Sequence, residues 1–420
     1  MKKTRRRKKH FLNILLTFWI TFAGVVGVGI AGIMIYNTIV GKANAIALSP
    51  SGLTEAVTHL FEEKIPEDGG KMEDASVQSG KYGTILADEK YMKENNIYAK
   101  EAASEEEVTL SFGGDILFDP NYSVMVRLLQ RANGIYDSIS PELLEEMKSA
   151  DILMLNNEFP YSDRGTPTPE KQFTFRAKPE SVSLLNDMGV DIVSLANNHA
   201  YDYGEEALMD SLDILQEAGV PYVGAGRNLE EAVKPVYFII NDIKIAYISA
   251  TQIERLDNPD TKGATDASPG VFRCWNPDYL LEKIKETKEN SDFVVVYIHW
   301  GTENTEQLDW AQLDQAPKIV EAGADLIIGD HPHCLQPIQY VNGVPVVYSL
   351  GNLWFNSKQV DTCLVKASID KNGLKSLRFI PALQKDCRTS LLEGEEKERV
   401  LSYMRSISPG VNIDAEGYIN

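Results

Sequence analysis

Polar side chains that could bind a metal ion follow five predicted strands of this chain. Each group comes directly after an apolar run, and the groups are Gly113-Gly114-Asp115, Asn156-Asn157-Glu158, Ala196-Asn197-Asn198-His199, His299, and Gly329-Asp330-His331-Pro332-His333. Four of the six histidines fall in these groups. Carboxylate, amide and imidazole ligands together suit divalent manganese, iron or zinc, unlike the thiolates of structural zinc sites. Two neighbouring metal ions could activate a water and hold both oxygens of a phosphoryl transfer.

Each group also has an ordinary structural explanation. A histidine such as His299 after a buried strand can be a hydrogen-bonded core residue, and Asn198-His199 could be a turn with a capping asparagine. Asp115 could be a loop carboxylate and Glu158 a surface acid. The pair His331 and His333, two positions apart, favours metal ligation. Joint placement at strand ends is what indicates a functional site.

Strand and helix patterns put these groups at the edge of a sheet. From Val108 onward, short apolar runs alternate with segments of helical periodicity, which predicts an α/β domain over about residues 108–385. Strands are predicted at 108–112, 151–155, 191–195, 221–223, 236–240, 243–250, 293–298, 326–328 and 344–349. Helices are predicted at 179–188, 205–218 and 309–322, the last two followed by Gly219 and Gly323. Ligand crevices in open α/β sheets lie outside the carboxyl ends of the strands, so the five groups should converge.

The first 41 residues predict a membrane anchor. Seven Lys and Arg residues stand in the first nine positions, and residues 11–41 contain no Asp, Glu, Lys or Arg. About 20 apolar residues suffice to cross a bilayer, so the basic tail (1–10) should stay in the cytoplasm and everything after Lys42 outside the membrane. A signal peptide cleaved near Ala43-Asn44-Ala45 is the alternative. Residues 42–107 predict an acidic stalk or linker, and residues 386–420 a C-terminal helix and tail.

The net charge bears on the possible binding partners, and the cysteine content bears on disulfides. The formal net charge is -20, which argues against nucleic acid because its binding depends on Lys and Arg neutralising phosphates. The four cysteines Cys274, Cys334, Cys363 and Cys387 permit disulfides in an extracytoplasmic protein, but no spacing identifies a pair.

Six ordered motifs together resemble a known family. They are Gly114-Asp115, Asn156-Asn157-Glu158, Ala196-Asn197-Asn198-His199-Ala200 with Asp202-Tyr203-Gly204, His299-Trp300-Gly301-Thr302-Glu303, Gly329-Asp330-His331-Pro332-His333 with Gln336-Pro337, and Tyr348-Ser349-Leu350-Gly351-Asn352. They resemble the CapA family of bacterial capsule synthesis proteins, which is related to calcineurin-like metallophosphoesterases. The resemblance covers about residues 108–385. The resemblance implies a fold of two packed sheets flanked by helices. It also implies that the protein acts at the membrane in poly-γ-glutamate synthesis or export, together with membrane-embedded synthase components.

The resemblance also implies a role for each site residue. One divalent metal ion would be held by Asp115, Glu158 and His333, and the other by Glu158, Asn198, His299 and His331. His199 would be the proton donor to a leaving group. Apart from the resemblance, Asp202 and Tyr203 are predicted to orient His199, because they follow it closely in the sequence. Active phosphoesterases begin with Asp-x-His, whereas here Leu117 takes the histidine position. One well-held metal ion and one weak or absent ion are therefore expected.

Substrate contacts and the reaction are open at this point. Asn157 and Arg176 are candidate substrate-binding residues, and a structural ion pair is the alternative for Arg176. The first function is a metal-dependent hydrolase or transferase acting on a γ-glutamyl polymer or on a phosphoester of the cell envelope. The second is a non-catalytic accessory that binds the polymer and couples synthesis to export. An anionic polymer could dock in either case, because a metal ion locally reverses the sign of the field.

Overall fold

The computed structural model describes residues 80–254 and 261–420. The helices are α1 (Gly83–Leu86), α2 (Glu89–Glu94), α3 (Ser123–Leu128), α4 (Ile135–Ser138), α5 (Pro141–Lys148), α6 (Ser183–Met188), α7 (Gly204–Glu217), α8 (Leu229–Ala232), α9 (Asp278–Glu289), α10 (Trp310–Ala322) and α11 (Gly394–Ile407), with a 3-10 turn at Pro179–Val182 before α6. The strands are β1 (Ile97–Ala99), β2 (Val108–Ile116), β3 (Ile152–Asn157), β4 (Ile192–Ser194), β5 (Tyr222–Val223), β6 (Ala225–Gly226), β7 (Val236–Ile240), β8 (Ile243–Thr251), β9 (Gly270–Val271), β10 (Phe293–His299), β11 (Leu326–Asp330), β12 (Ile338–Val341), β13 (Val344–Val347), β14 (Asn352–Trp354), β15 (Val360–Asp370), β16 (Gly373–Lys385), β17 (Arg388–Leu391) and β18 (Tyr418–Ile419).

Two large sheets form the domain. The seven-stranded sheet has the order β1-β7-β8-β10-β11-β13-β12, and the nine-stranded sheet has the path β17-β16-β15-β2-β3-β4-β5 with β14 beside β2 and β18 beside β16. Strands β2 to β5 run parallel to one another, as do β8, β10, β11 and β13. The nine predicted strands are all present, with ends that differ by a few residues.

Alternate residues of the central strands face two different layers, because successive side chains of a strand point to opposite faces. In β10, Val295 and Tyr297 join the core between the sheets, whereas Val294 and Val296 pack against helices on the outside. Helices α9 and α10 cover the seven-stranded sheet, and the nine-stranded sheet is covered by α5 and α7. The predicted two-sheet sandwich with flanking helices is therefore confirmed.

The carboxyl ends of the two sheets meet at one edge. Asp115 at the end of β2 is the Cα partner of Asn156 on β3, and His299 at the end of β10 is the partner of Asp330 on β11. The amide Nδ2 of Asn156 lies 3.5 Å from Nδ1 of His299, so side chains from both sheets reach each other there. The expected convergence of strand ends is present.

The folded domain begins before Val108, where the sequence predicted only linker. Strand β1 pairs in parallel with β7 at the edge of the seven-stranded sheet. Ile97 and Tyr82 are buried against Ile239, and the Tyr82 hydroxyl donates to Asp292 at 2.8 Å. A few apolar side chains in a polar stretch are enough to dock it when an open sheet edge is available. The remainder of the predicted stalk lies outside the described residues.

We expect Ile97→Ala to destabilise the domain, because Ile97 is 4% exposed and its loss leaves a cavity under β1. The free energy of unfolding in urea should fall by about 2–4 kcal/mol. Lys90→Ala is the matched control, since the Lys90 side chain is 84% exposed. Equal unfolding midpoints for both variants would show that β1 adds nothing to the domain.

The sequence analysis also made predictions for the two termini and for the four cysteines. The predicted basic tail and membrane segment (1–41) lie outside the described residues. Across 80–254 and 261–420, no helix combines the length and apolar character needed to cross a bilayer. At the other end, α11 is followed by β18, which pairs with β16, so residues after 385 extend the nine-stranded sheet. The four cysteines, all in the described part of the chain, are free thiols.

Candidate metal centre

The first group of possible ligands is Asp115, Glu158 and His333, whose ligand atoms all lie within 4.8 Å of one another. His333 Nδ1 is 2.8 Å from Asp115 Oδ2 and 2.8 Å from Asn352 Oδ1. Asp115 Oδ1 accepts from the amide of Asn156 at 2.8 Å. These are the three residues predicted for one metal position, now held in place by two asparagines.

The second group is Glu158, His299 and His331, with the same 4.8 Å limit. His331 Nδ1 lies 3.0 Å from His299 Nε2, which also lies 2.8 Å from Oδ1 of Asn198. Burial lowers the pKa of His299 to about 3, and burial together with the neighbouring histidines lowers the pKa of His331 well below its usual value. Both imidazoles are therefore neutral, which is the form that ligates a metal ion.

Glu158 belongs to both groups. Both of its carboxylate oxygens are buried and have no hydrogen-bond partner among the described residues. The nearest imidazole nitrogens, Nε2 of His299 and Nε2 of His199, are 3.7 and 3.9 Å from Oε1. Burial raises the pKa of Glu158 well above its usual value, and the charges of Asp115 and Asp330 raise it further. A buried carboxylate without a partner is costly, so this donor set fits a divalent cation.

Asp330 lies at the same centre and forms a third possible ligand group with Asp115 and His299, although the sequence analysis assigned it to neither metal position. Its Oδ1 is 2.9 Å from Nδ1 of His299, and its buried Oδ2 has no partner among the described residues. A carboxylate on the far nitrogen of a metal-binding histidine fixes the ring and its tautomer. Its position next to His331 in the Gly329-Asp330-His331 motif was the available signal.

Replacing Asp330 by Asn should weaken metal binding without removing a predicted ligand. We expect the affinity to fall by about 10–100-fold, the usual effect of losing the partner of a metal-binding histidine. The measurement is competition with a graded series of chelators. Asp325→Asn is the control, because Asp325 pairs with Lys288 outside this centre. An unchanged affinity would mean that Asp330 does not orient His299.

His199 faces the centre without belonging to any of the ligand groups found there. Its Nδ1 is 2.6 Å from Asp202 Oδ2, which leaves Nε2 directed toward Glu158. The Phe175 ring covers the imidazole, with centroids 4.2 Å apart. Asp202 thus orients His199, as predicted from the sequence, while Tyr203 lies against Arg176.

The backbone at the histidine pair is unusual. His331 has φ 94° and His333 has φ 57°, on either side of Pro332. Positive φ is uncommon for residues other than glycine, and it is tolerated where surrounding contacts hold it. The two conformations direct the two imidazoles to different ligand groups around the shared Glu158.

A family model described as "Bacterial capsule synthesis protein PGA_cap" matches residues 109–357. The chain belongs to this family of bacterial capsule synthesis proteins. Among its relatives, the PGA biosynthesis protein CapA of Bacillus subtilis (strain 168) is 32% identical over 285 residues, 66% of this chain and 72% of that protein. The capsule biosynthesis protein CapA of Bacillus anthracis is 31% identical over 309 residues, 70% of this chain and 72% of that protein.

The similarity to solved structures is much lower. The sulfate thiohydrolase SoxB of Thermus thermophilus is 14% identical, with a TM-score of 0.36 over 74% of this chain and 61% of that one. A similarity of this size says nothing about the reaction. The membership in the capsule synthesis family therefore rests on the sequence.

The two candidate substrate-binding residues of this capsule synthesis protein have structural contacts. Asn157 is buried, and its amide donates to the carbonyl of Phe159 at 2.7 Å. The Arg176 guanidinium lies 4.2 Å from the Tyr203 ring centroid and donates to the carbonyl of Arg164 at 3.1 Å. These contacts place Asn157 beside Glu158 and Arg176 against Tyr203, and substrate binding by either remains a prediction.

Proposed function

We propose that this chain is a membrane-anchored capsule synthesis protein of CapA type, which acts outside the membrane in the synthesis or export of poly-γ-glutamate. Family membership supports this polymer, as do the two Bacillus relatives, which are a PGA biosynthesis protein and a capsule biosynthesis protein. The chemistry is a metal-dependent, hydrolase-like reaction at the edge where the two sheets meet. The observation that carries it is the buried carboxylate of Glu158, which has no hydrogen-bond partner within residues 80–254 and 261–420 and is shared by two ligand groups.

The residues present can hold a divalent manganese, iron or zinc ion. Glu158, Asn198, His299 and His331 form the better position, and Asp115, Glu158 and His333 form the weaker one. At the weaker position Leu117 is fully buried in an apolar core cluster and cannot ligate. A bound divalent cation would polarise a substrate oxygen and make water nucleophilic at neutral pH.

The protein's own contribution to the reaction is orientation and proton transfer. Asp202 holds Nδ1 of His199, so Nε2 is free to give a proton to a leaving group or take one from a nucleophile. The substrate is an amide or ester of a γ-glutamyl polymer, or a phosphoester of the cell envelope.

A non-catalytic accessory function is the second candidate, and the buried Leu117 favours it because two-metal chemistry needs both ions. In that case the metal ion would bind polymer carboxylates while membrane-embedded synthase components carry out the synthesis. The net charge of -20 does not oppose this, since the cation reverses the field locally.

Both candidate functions require a bound metal ion, so the metal content of the purified protein tests them together. The full chain, purified without chelator or metal-affinity tag, should carry about one equivalent of manganese, iron or zinc by elemental mass spectrometry, with partial occupancy of a second. The double variant His331→Ala, His333→Ala should lose it, because each of the two predicted metal positions loses a histidine. A wild-type chain that binds no metal even after reloading would overturn the metal-dependent function.

A further inference from the structure

Residues 162–177 form a strap that lies against the candidate metal centre. Its ends are joined where the Ser162 amide donates to the Ala177 carbonyl at 3.1 Å and the Ala177 amide donates to the Pro160 carbonyl at 2.9 Å. Between these ends the strap carries Lys171 and Phe175, and Phe175 also packs on Phe355 with centroids 5.5 Å apart. The strap therefore covers His199, whose side chain is only 7% exposed.

One carboxylate, that of Asp202, joins the strap to His199. Asp202 Oδ2 accepts from the Phe175 backbone amide at 2.7 Å and lies 2.6 Å from Nδ1 of His199. Asp202 Oδ1 accepts from the Lys171 ammonium at 2.6 Å. The Thr168 amide donates to the Asp202 backbone carbonyl at 2.8 Å. The position of the strap and the orientation of the histidine are thus set by the same side chain.

Lys171 is an unusual residue to find there, because its side chain is 4% exposed and that of Asp202 is fully buried. Its ammonium also donates to the backbone carbonyl of Asn198, whose side chain lies 2.8 Å from His299. A buried ion pair adds little net stability compared with well-packed apolar residues, so stability alone explains this lysine poorly. Holding a defined geometry at Asp202 and Asn198 explains it better.

We propose that Lys171 is a positioning residue, whose buried ammonium fastens the strap to Asp202 and thereby holds the His199 ring toward the metal centre. The proposal rests on the proposed function through the role of His199 alone. It makes the strap, and not only the strand ends, part of the site. Loss of the ammonium would leave Asp202 without its cation, free the strap, and expose His199.

The test uses the full chain and measures how fast diethylpyrocarbonate modifies His199, followed by peptide mass spectrometry. In Lys171→Met the rate should rise by about tenfold or more, because an uncompensated buried carboxylate favours the open strap. Lys178→Met is the matched control directly after the strap, since Lys178 pairs with Asp163 of the strap at 2.5 Å and both side chains are half exposed. Its rate should equal that of the wild type.

A second variant separates positioning from folding. Lys171→Met combined with Asp202→Asn removes both charges, so no buried carboxylate is left without its cation. Thermal stability and metal content should therefore be closer to the wild type than in Lys171→Met alone. Polymer production in a deletion strain should stay low, because His199 is no longer held. Full recovery of polymer production by this double variant, or an unchanged His199 rate in Lys171→Met, would overturn the positioning role. If His199→Ala alone leaves polymer production normal, the proposed hydrolase-like function fails, while the effect of Lys171 on the His199 modification rate still stands.

Discussion

A Glu158→Gln variant should purify with almost no bound metal. Glu158 is the only carboxylate common to the two ligand groups predicted from the sequence, so its loss weakens both positions at once. Removing a mere partner of a metal ligand changes affinity by about 10–100-fold, and removing a shared ligand should do at least as much. Elemental mass spectrometry of the wild type and variant, prepared side by side, measures the difference.

The exposed neighbour Glu303 supplies the control for this variant. Its charge raises the pKa of both Glu158 and His333, yet it lies outside the three ligand groups found in the described residues. Glu303→Gln should therefore keep its metal. Equal metal content in Glu158→Gln and Glu303→Gln would show that Glu158 is an ordinary buried acid.

In the metal-free protein, Glu158→Gln should stabilise the fold instead of weakening the site. The folded-state pKa of Glu158 is raised above its unfolded value of about 4.3, so the folded protein binds the proton more tightly than the unfolded chain does. The metal-free protein therefore loses stability as the pH rises from the unfolded-state pKa to the folded-state pKa. Glutamine removes that loss. After chelation, urea unfolding between about pH 4 and pH 8 should therefore show wild-type stability falling relative to Glu158→Gln.

His199→Ala is the variant that distinguishes the two candidate functions. His199 lies outside the ligand groups, so the variant should retain its metal. If His199 transfers a proton in the reaction, the chemical step should slow by about 10²–10⁴-fold and extracellular polymer should nearly disappear. The measurement is γ-glutamyl polymer released by a deletion strain that expresses each variant at equal protein level.

The double variant His331→Ala, His333→Ala is the reference in that experiment. Both proposed functions expect it to fail, since both need the metal ion. Normal polymer from His199→Ala beside a defective double variant would support the accessory function. Thermal melting of each protein guards against unfolding, because removing the His199 ring also removes its contact with Phe175.

Much of the candidate site could be predicted because its possible ligands are adjacent to strong local signals in the sequence. Strands buried on both faces appear as continuous apolar runs, as in β10, and the polar residue that ends such a run stands out. Ordered motifs then identified the family, and the family model confirms it. Strands β15 and β16 were missed, since their exposed residues interrupt the apolar pattern even though they form the longest hairpin of the nine-stranded sheet.

The sequence by itself determined the α/β class, the candidate ligands at the strand ends, the family and the acidic character of the chain. Only the tertiary structure decided that β1 completes the seven-stranded sheet, that Asp330 holds His299, and that Lys171 reaches Asp202 across 31 positions of sequence. The physical reason is that periodicity and local propensity act within one element, whereas these contacts join elements that are distant in sequence. Such contacts form only when the folded chain brings these distant elements together and removes their polar groups from water.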